Sequence, residues 1–108
     1  QIPFTIHNDS PVVPPDMMRL MWISVNRKTR SDFVLGPEQR LTAMQALHAI
    51  TLGAAYQYFE EDRKGSIVPG KQADLVILEH NPLLVNPNAL KDISVIETFS
   101  RGQSVFKQ

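Results

Sequence analysis

The chain contains 108 residues, a length that suits one ordinary domain with a modest hydrophobic core. Its 11 Lys and Arg residues balance 11 Asp and Glu residues, so charge gives no reason to expect a nucleic-acid partner. There is no cysteine, which excludes disulfides and thiolate metal sites, and no run of about 18 apolar residues predicts a membrane span. We therefore expect a soluble, cytoplasmic protein with neither a nucleic-acid nor a membrane partner.

A strand and a helix are predicted at the start of the chain. β-Branched and aromatic residues at 2–6 predict the strand, and turn-forming residues at 7–11 follow it. After Asp16, apolar residues recur with helical spacing and predict a helix that ends between Arg27 and Arg30, whose cationic side chains suit a helix C-terminus. The apolar residues of this helix are Met17, Met18, Leu20, Met21, Trp22 and Val25.

A second helix is predicted at residues 43–59, after a connection at residues 31–41. Thr42 and Gln45 have the spacing of a capping box, in which each side chain bonds the backbone N–H of the other residue. One face of this helix is expected to pack against a neighbour, and it consists of Met44, Leu47, Thr51, Ala54, Ala55 and Tyr58. The charge run that follows predicts a solvated helix end, with Gly65 as the stop.

The C-terminal part of the chain predicts four short strands, at residues 66–68, 73–78, 93–99 and 104–106. Pro69 and Gly70 predict a type II turn between the first two strands. The last two are expected to form a hairpin, with a bulge at Gly102. A sheet of this size has exposed edges and commonly needs another surface to cover it.

Three segments carry a family resemblance. They are residues 7–12 with sequence HNDSPV, residues 41–47 with sequence LTAMQAL together with Thr51 and residues 54–56 (AAY), and residues 64–78 with sequence KGSIVPGKQADLVIL. The last of them is the most specific. Together they make the chain resemble the C-terminal end of an amidohydrolase, in the family-3 branch that includes the N-substituted formamide deformylases.

The resemblance implies an α/β fragment composed of two parts of a larger enzyme. The first part is the end of a (β/α)8 metal-dependent hydrolase barrel, and the second is the C-terminal part of the accompanying β-sandwich. Residues 1–62 then comprise the last barrel strand, the catalytic-Asp loop and the following helices. Residues 63–108 comprise the part of the sandwich.

The resemblance also implies a role for Asp9. In the family, the acid after the eighth barrel strand binds metal and accepts a proton from the attacking water, and Asp9 occupies the matching position. From spacing alone, a turn or helix-capping role before Pro11 would be the first interpretation. His7 has two open interpretations, either orienting the substrate or Asp9, or lying at a strand end with its nitrogens satisfied by backbone groups.

A divalent metal is the cofactor that the resemblance implies for the full enzyme, with zinc as the first expectation and iron or manganese as alternatives. The other ligands of the family come from earlier strands, beginning with a His-x-His pair, and this chain contains no such pair. Its three histidines, His7, His48 and His80, are far apart in the sequence. The isolated chain is therefore expected to be inactive and need not bind a metal.

Three other features have more than one interpretation. His48 is expected to be a packed and hydrogen-bonded histidine rather than a ligand. Asp74 is expected to end a turn or to pair with Lys71. Core packing is the preferred interpretation of an apolar cluster, with a substrate pocket as the alternative, and the cluster consists of Met17, Met18, Met21 and Trp22.

The sequence leaves three functional hypotheses. In the first, the chain is the C-terminal portion of a metal-dependent hydrolase that cleaves a non-peptide C–N bond of a small amide-like substrate, with the N-terminal barrel portion as its partner. In the second, it is a non-catalytic interaction or assembly module that docks on another chain. In the third, the fragment is a homo-oligomer that exchanges its first strand or its helices between copies.

Overall fold

The computed structural model describes residues 2–108, which contain three α-helices, three β-strands and two short 3₁₀ segments. The predicted α/β class is confirmed. The helices are α1 (Met17–Asn26), α2 (Ala43–Ile50) and α3 (Leu52–Gln57), and the strands are β1 (Leu75–Leu78), β2 (Val95–Ser100) and β3 (Gln103–Lys107). The 3₁₀ segments are Pro37–Gln39 and Pro87–Asp92. None of the helices in residues 2–108 combines the length and hydropathy that a bilayer crossing needs.

Helix α1 begins where the sequence predicts and ends at Asn26, just before the predicted end between Arg27 and Arg30. The Asp16 side chain accepts a hydrogen bond from the Arg19 N–H at 3.1 Å, which satisfies one of the free donors of the first turn. At the other end Arg27 has a left-handed backbone with φ 57°, and its N–H donates to the Ile23 carbonyl at 2.8 Å. Because Arg27 is already the cap, the cationic residues follow the helix instead of lying in its last turn.

The second predicted helix is wrong as a continuous element. Its start is confirmed, because Thr42 and Gln45 form both hydrogen bonds of a capping box. The helix breaks at Thr51, whose backbone has φ −122° and ψ −95°. The Thr51 hydroxyl donates to the Leu47 carbonyl at 2.7 Å and its N–H donates to the His48 carbonyl, so local bonds replace the regular helical pattern.

The predicted packing face of this helix is partly wrong, because Leu47 is the one large apolar residue of that face that packs against the core. Ala46 and Ala49 of α2 and Gly53 of α3 are buried, whereas Met44 and Tyr58 are exposed. The smallest side chains therefore face the neighbouring elements, because they permit the closest approach. Large apolar side chains of α2 and α3 are left on the surface.

Gly65 is not the helix stop, since α3 already ends at Gln57. Gly65 has φ +91° and lies directly against α3. A Cβ atom at this position would stand 2.8 Å from the Leu52 Cα and 2.9 Å from the Ala55 Cβ. Glycine is thus required here both by the left-handed backbone and by the close approach of the loop to the helix.

The three strands form one antiparallel sheet in the order β1-β2-β3. The hairpin between β2 and β3 is confirmed, with Arg101 and Gly102 both at positive φ as in a type I′ turn. The predicted bulge lies elsewhere, between Thr98 and Phe99. The turn at Pro69-Gly70 is confirmed as well, because Gly70 has φ +95° and the Lys71 N–H donates to the Val68 carbonyl at 3.1 Å.

Two predicted strands are wrong in this chain. Residues 66–68 and residues 2–6 belong to no strand. A β-rich composition forms a strand only when a second strand supplies ladder hydrogen bonds, and within residues 2–108 neither segment has such a neighbour. The C-terminal part therefore contains three strands instead of four.

The hydrophobic core lies where α1 packs on α2 and on the 3₁₀ segment 87–92. Its buried members are Met18, Met21, Trp22, Val25, Ala46, Leu90 and Ile93. Core packing is thus confirmed for three members of the apolar cluster on α1, whereas Met17 is exposed. The buried Asn26 side chain joins two elements by donating to the Trp22 carbonyl at 2.9 Å and to the Pro87 carbonyl at 3.0 Å.

Replacing Leu90 tests whether the packing of α1 against the 3₁₀ segment 87–92 stabilises the chain. Leu90 is 0% exposed, so Leu90→Ala should lower the free energy of unfolding by about 2–5 kcal/mol through lost burial and the cavity left behind. Urea denaturation followed by circular dichroism measures the change. The matched control is Leu84→Ala at an 82% exposed position, which should change the free energy by less than about 0.5 kcal/mol. Equal effects would contradict the assigned core.

Substitutions at two glycines distinguish the energetic cost of a left-handed backbone from the cost of close packing. Gly65 and Gly70 both have positive φ, but a Cβ at Gly70 would meet nothing within 4 Å. Gly70→Ala should cost about 1–2 kcal/mol of unfolding free energy from its backbone conformation alone. Gly65→Ala should cost clearly more, because its Cβ also overlaps α3. The same denaturation measurement applies, and equal costs would show that α3 does not constrain the loop.

The Asp74 carboxylate ends a turn and does not pair with Lys71. Its Oδ1 accepts from the Arg101 N–H at 3.0 Å and its Oδ2 accepts from the Gln72 side chain at 2.6 Å. The Lys71 ammonium donates instead to the carbonyls of Glu61 and Lys64 and to the Ser66 hydroxyl. The Arg101 N–H is the main reason that the pKa of Asp74 lies below its ordinary value of 3.8, with the Gln72 hydrogen bond as a further cause.

A depressed pKa in the folded chain predicts the sign of a pH effect. The stabilisation from Asp74 should be present above pH 3.8 and should be lost as the pH falls through the lower folded-state pKa. Carboxyl ¹³C NMR should show Asp74 titrating below 3.8. Arg101 donates through its backbone, so the control is Asp74→Asn, which should reduce the acid-dependent loss of stability. A pKa of Asp74 at or above its ordinary value would contradict the assigned hydrogen bonds.

Candidate functional site

The segment that leads to Asp9 is held against α3. The Phe4 carbonyl lies only 3.3 Å from the place where a Cβ on Gly53 would stand, so this backbone approaches the helix closely. The Thr5 hydroxyl donates to the Gln57 side chain at 2.8 Å. Both contacts precede the catalytic-Asp candidate in the chain, and they fix the direction in which the loop leaves the helix.

The loop itself is closed by two further hydrogen bonds. Asp9 has a left-handed backbone with φ 53°, and its carbonyl accepts from the Val12 N–H at 2.9 Å. The Ser10–Pro11 peptide bond inside this turn is cis. The Asn8 side chain donates to the Pro14 carbonyl at 3.1 Å and so joins the two ends of the loop. Asp and Asn tolerate left-handed backbone better than most residues, which suits Asp9 to this position.

Asp9 and His7 are both exposed at this loop. Within residues 2–108 the two side chains form no ion pair with each other, and neither has a hydrogen-bond partner in the chain. The turn at Asp9 is formed by its backbone alone. The Asp9 side chain is exposed to solvent. Asp9 can therefore accept a proton or contribute an oxygen ligand, but nothing in the described chain orients His7 toward it.

The described part of the chain does not form a metal site by itself. A protein metal site usually needs at least three side-chain ligands. No group of three or more His, Asp or Glu residues that could hold a metal occurs in residues 2–108. The Asp9 carboxylate oxygens could bind a metal, but they belong to one side chain, and a site needs ligands from several. Any metal bound here would need most of its ligands from outside the chain.

The other histidines do not join the site. His48 is exposed, so its predicted packing is wrong, because the buried face of α2 is formed by Ala46 and Ala49. His80 is exposed and lies 3.9 Å from the Glu79 carboxylate. Neither residue lies in a cluster of candidate ligands.

The sequence did not identify Thr5, Asn8 and Gly53 as residues that position the loop. Asn8 was noticeable only as the neighbour of Asp9. Gly53 permits close approach of the Phe4 backbone, which is distant from it in the sequence. Hydrogen bonds such as Thr5 to Gln57 join residues that no local pattern relates. The signal for these roles exists only in the folded chain.

Comparison with known proteins assigns the chain to a family. The sequence profile of the Amidohydrolase family matches residues 1–106. The N-substituted formamide deformylase of Arthrobacter pascens is 29% identical over 91% of this chain, and the putative amidohydrolase YtcJ of Bacillus subtilis is 27% identical over 94%. The crystal structure of an amidohydrolase from Thermotoga maritima superposes with a TM-score of 0.71 at 23% identity and covers 99% of this chain.

These matches cover only a small part of the relatives. The chain spans 18% of the formamide deformylase, 20% of YtcJ and 24% of the Thermotoga maritima chain. The match to that crystal structure shows a shared fold, and the family profile extends over almost the entire sequence. The chain therefore belongs to the amidohydrolase family, and it corresponds to about a fifth of the length of the curated relatives.

Proposed function

We propose that this chain supplies the Asp9 loop of a metal-dependent amidohydrolase that cleaves a non-peptide C–N bond. The observation that carries the proposal is the combination of an exposed, unpartnered Asp9 carboxylate with a loop whose backbone is closed on both sides. Membership of the amidohydrolase family supports the reaction class.

The two parts of the chain have different proposed roles. In the full enzyme, residues 1–62 are proposed to supply the end of a (β/α)8 barrel, in which residues 2–6 become its last strand and are followed by the Asp9 loop and the helices. Residues 63–108 form the C-terminal part of a β-sandwich that accompanies the barrel. This division agrees with the order of elements, because the helices precede the three-stranded sheet. The C-terminal ends of barrel strands are where such enzymes place their active sites.

Asp9 is proposed to move a proton during hydrolysis. Its carboxylate accepts a proton from the attacking water and returns it to the leaving nitrogen, which is general base and then general acid catalysis at one side chain. Asp9 also contributes one oxygen ligand to a divalent metal, with zinc as the first candidate. When bound, such a metal lowers the pKa of water toward neutrality. Because the described residues contain no other ligand cluster, the isolated chain should be inactive.

The name of one relative supports a substrate class for the full enzyme. One of them is named for the removal of a formyl group from N-substituted formamides. We propose a small amide-like substrate of this kind for the full enzyme. His7 lies two residues before Asp9 and is exposed on the same segment, so it is a candidate for contact with the substrate.

The test is a chimera of the Arthrobacter pascens deformylase in which this chain replaces the matched segment. Asp9→Asn in the chimera should lower kcat/KM for an N-substituted formamide by about 10²–10⁴-fold, because the proton acceptor is removed. Metal content measured by elemental analysis should fall as well. The fold should persist, since Asp9 is exposed and its turn is held by backbone atoms.

The control for this test is Asp32→Asn. Asp32 is also an exposed aspartate at positive φ, with φ 62°, but it lies in a different loop. Its substitution should leave both kcat/KM and metal content unchanged. An active chimera that keeps its activity and metal after Asp9→Asn would refute the proposed role of Asp9. A folded chimera that hydrolyses no formamide would refute the proposed reaction.

A further inference from the structure

The connection between α3 and β1 folds around the side chain of Lys71. Its ammonium donates hydrogen bonds to the Glu61 carbonyl, to the Ser66 hydroxyl at 2.8 Å and to the Lys64 carbonyl at 3.3 Å. An ammonium has three N–H donors, so all of them are used within this connection. Three acceptors from a short stretch of chain are thereby held together by one cation. We call residues 60–72 the Lys71 loop.

Lysine is the side chain that this arrangement requires. The three hydrogen bonds are partly buried, so loss of the ammonium would leave their acceptors without a partner at a cost in free energy. Methionine fills a similar space but donates no hydrogen bond. Arginine keeps the charge, but its donors lie in one plane and cannot point at three acceptors as an ammonium does. The loop therefore depends on the ammonium group itself and not only on packing or on positive charge.

The Lys71 loop is closed at its base and lies against α3. The Gln72 N–H donates to the Arg63 carbonyl at 2.7 Å and so joins the two sides of the loop. Gly65 lies between two residues that the ammonium holds, and a Cβ on it would stand 2.8 Å from the nearest atom of α3. No side chain fits between the loop and the helix at this point. The cation thus fixes the loop against one side of α3.

Helix α3 connects the Lys71 loop with the segment that leads to Asp9. The helix has only six residues, so its position depends on packing more than on its own hydrogen bonds. The loop contacts it at Leu52, and the next residue, Gly53, contacts the Phe4 backbone. One turn further along, Gln57 accepts a hydrogen bond from the Thr5 hydroxyl. The loop and the segment before Asp9 therefore contact adjacent residues of the same short helix.

We propose that Lys71 is a positioning residue for Asp9, which acts through the Lys71 loop and α3 and does not touch the substrate. The ammonium fixes the loop, the loop fixes α3, and α3 fixes the segment from which the Asp9 loop begins. The inference rests on the proposed function for its effect on catalysis. Its structural part is independent of activity and can be tested in the isolated chain.

Limited proteolysis tests the first step. The peptide bond after Arg63 lies in the Lys71 loop, whereas the bonds after Lys28 and Arg30 lie in the connection that follows α1. Lys71→Met should raise the rate of trypsin cleavage after Arg63 about tenfold or more, because local opening exposes this bond. Cleavage after Lys28 and Arg30 should not change. An equal rise at every site would indicate general unfolding and would overturn the local role of the ammonium.

Two further variants control this measurement. Lys64→Met is the same substitution in the same loop, but the Lys64 ammonium pairs with Glu60 at the surface, where an ion pair contributes little. Cleavage after Arg63 should therefore stay unchanged in Lys64→Met. Ser66→Ala removes one acceptor and is a milder change than Lys71→Met, and it should raise this cleavage about twofold or more. Equal effects of Lys64→Met and Lys71→Met would contradict the proposal.

Chemical rescue separates the ammonium from the rest of the side chain. The chain contains no cysteine, so Lys71→Cys introduces a single thiol. Alkylation of the unfolded variant with 2-bromoethylamine displaces bromide and forms a lysine analogue in which sulfur replaces one methylene group. After refolding, this analogue should restore the resistance to cleavage after Arg63, whereas Lys71→Arg should not. Full restoration by arginine would refute the requirement for an ammonium with three donors.

NMR relaxation tests whether the restraint reaches the segment before Asp9. Backbone order parameters of residues 4–6 should be about 0.85 in the unchanged chain and should fall below about 0.6 in Lys71→Met. The β2–β3 hairpin should keep its values, because its ladder does not involve α3. Rigid residues 4–6 in a variant whose Lys71 loop has opened would overturn the route through α3.

The deformylase chimera measures the effect on catalysis. Lys71→Met should lower kcat for the N-substituted formamide about 10–100-fold with little change in KM, because a catalytic group displaced by about 1 Å loses activity on this scale. Lys64→Met should leave both constants unchanged. An unchanged kcat in Lys71→Met would overturn the positioning role. A chimera that hydrolyses no formamide would refute the proposed function, while proteolysis and relaxation would still decide whether Lys71 holds the segment.

Discussion

Helix α1 is buried between α2 and the 3₁₀ segment Pro87–Asp92, and this packing joins the N-terminal and C-terminal parts of the chain. Met21 and Leu90 are completely enclosed there, and Asn26 adds a hydrogen bond to the Pro87 carbonyl. The Lys91 ammonium lies 4.3 Å from the centre of the Trp22 ring and closes the same junction by a cation–π contact. The positions of the sheet and of the Asp9 loop depend on it, because both are connected to α1 or to its packing partners.

The Asp9 loop illustrates how a framework can be complete while a site is not. Contacts with α3 fix the chain before the loop, Asn8 closes the loop on Pro14, and the Asp16 cap begins α1 immediately after it. The backbone around Asp9 is therefore determined within this chain. The proposed chemistry is not determined there, since in that proposal the exposed Asp9 carboxylate needs further metal ligands and a bound substrate before it acts. This division is physically consistent with a family in which this chain is a minor part of the full length.

The exposed apolar surface and the candidate catalytic loop are related through the same segment. Residues 2–4 line an apolar groove with α2 and α3, and the chain continues through residues 5 and 6 into His7 and Asp9. The contacts that hold Phe4 and Thr5 against α3 therefore also fix where the Asp9 loop begins.

The sequence by itself determined the elements that depend on neighbouring residues. Helix α1, the capping box at Thr42 and Gln45, the turn at Gly70 and the hairpin at Arg101-Gly102 all follow from local patterns. The position of Asp9 was identified by resemblance, and its catalytic role stays a prediction. Tertiary structure alone decided the break at Thr51, the buried face of α2, the contact of Gly65 with α3 and the hydrogen bonds that hold the Asp9 loop. It also decided that residues 2–6 and 66–68 form no strand here, because a strand depends on a partner that is distant in the sequence or lies outside the chain.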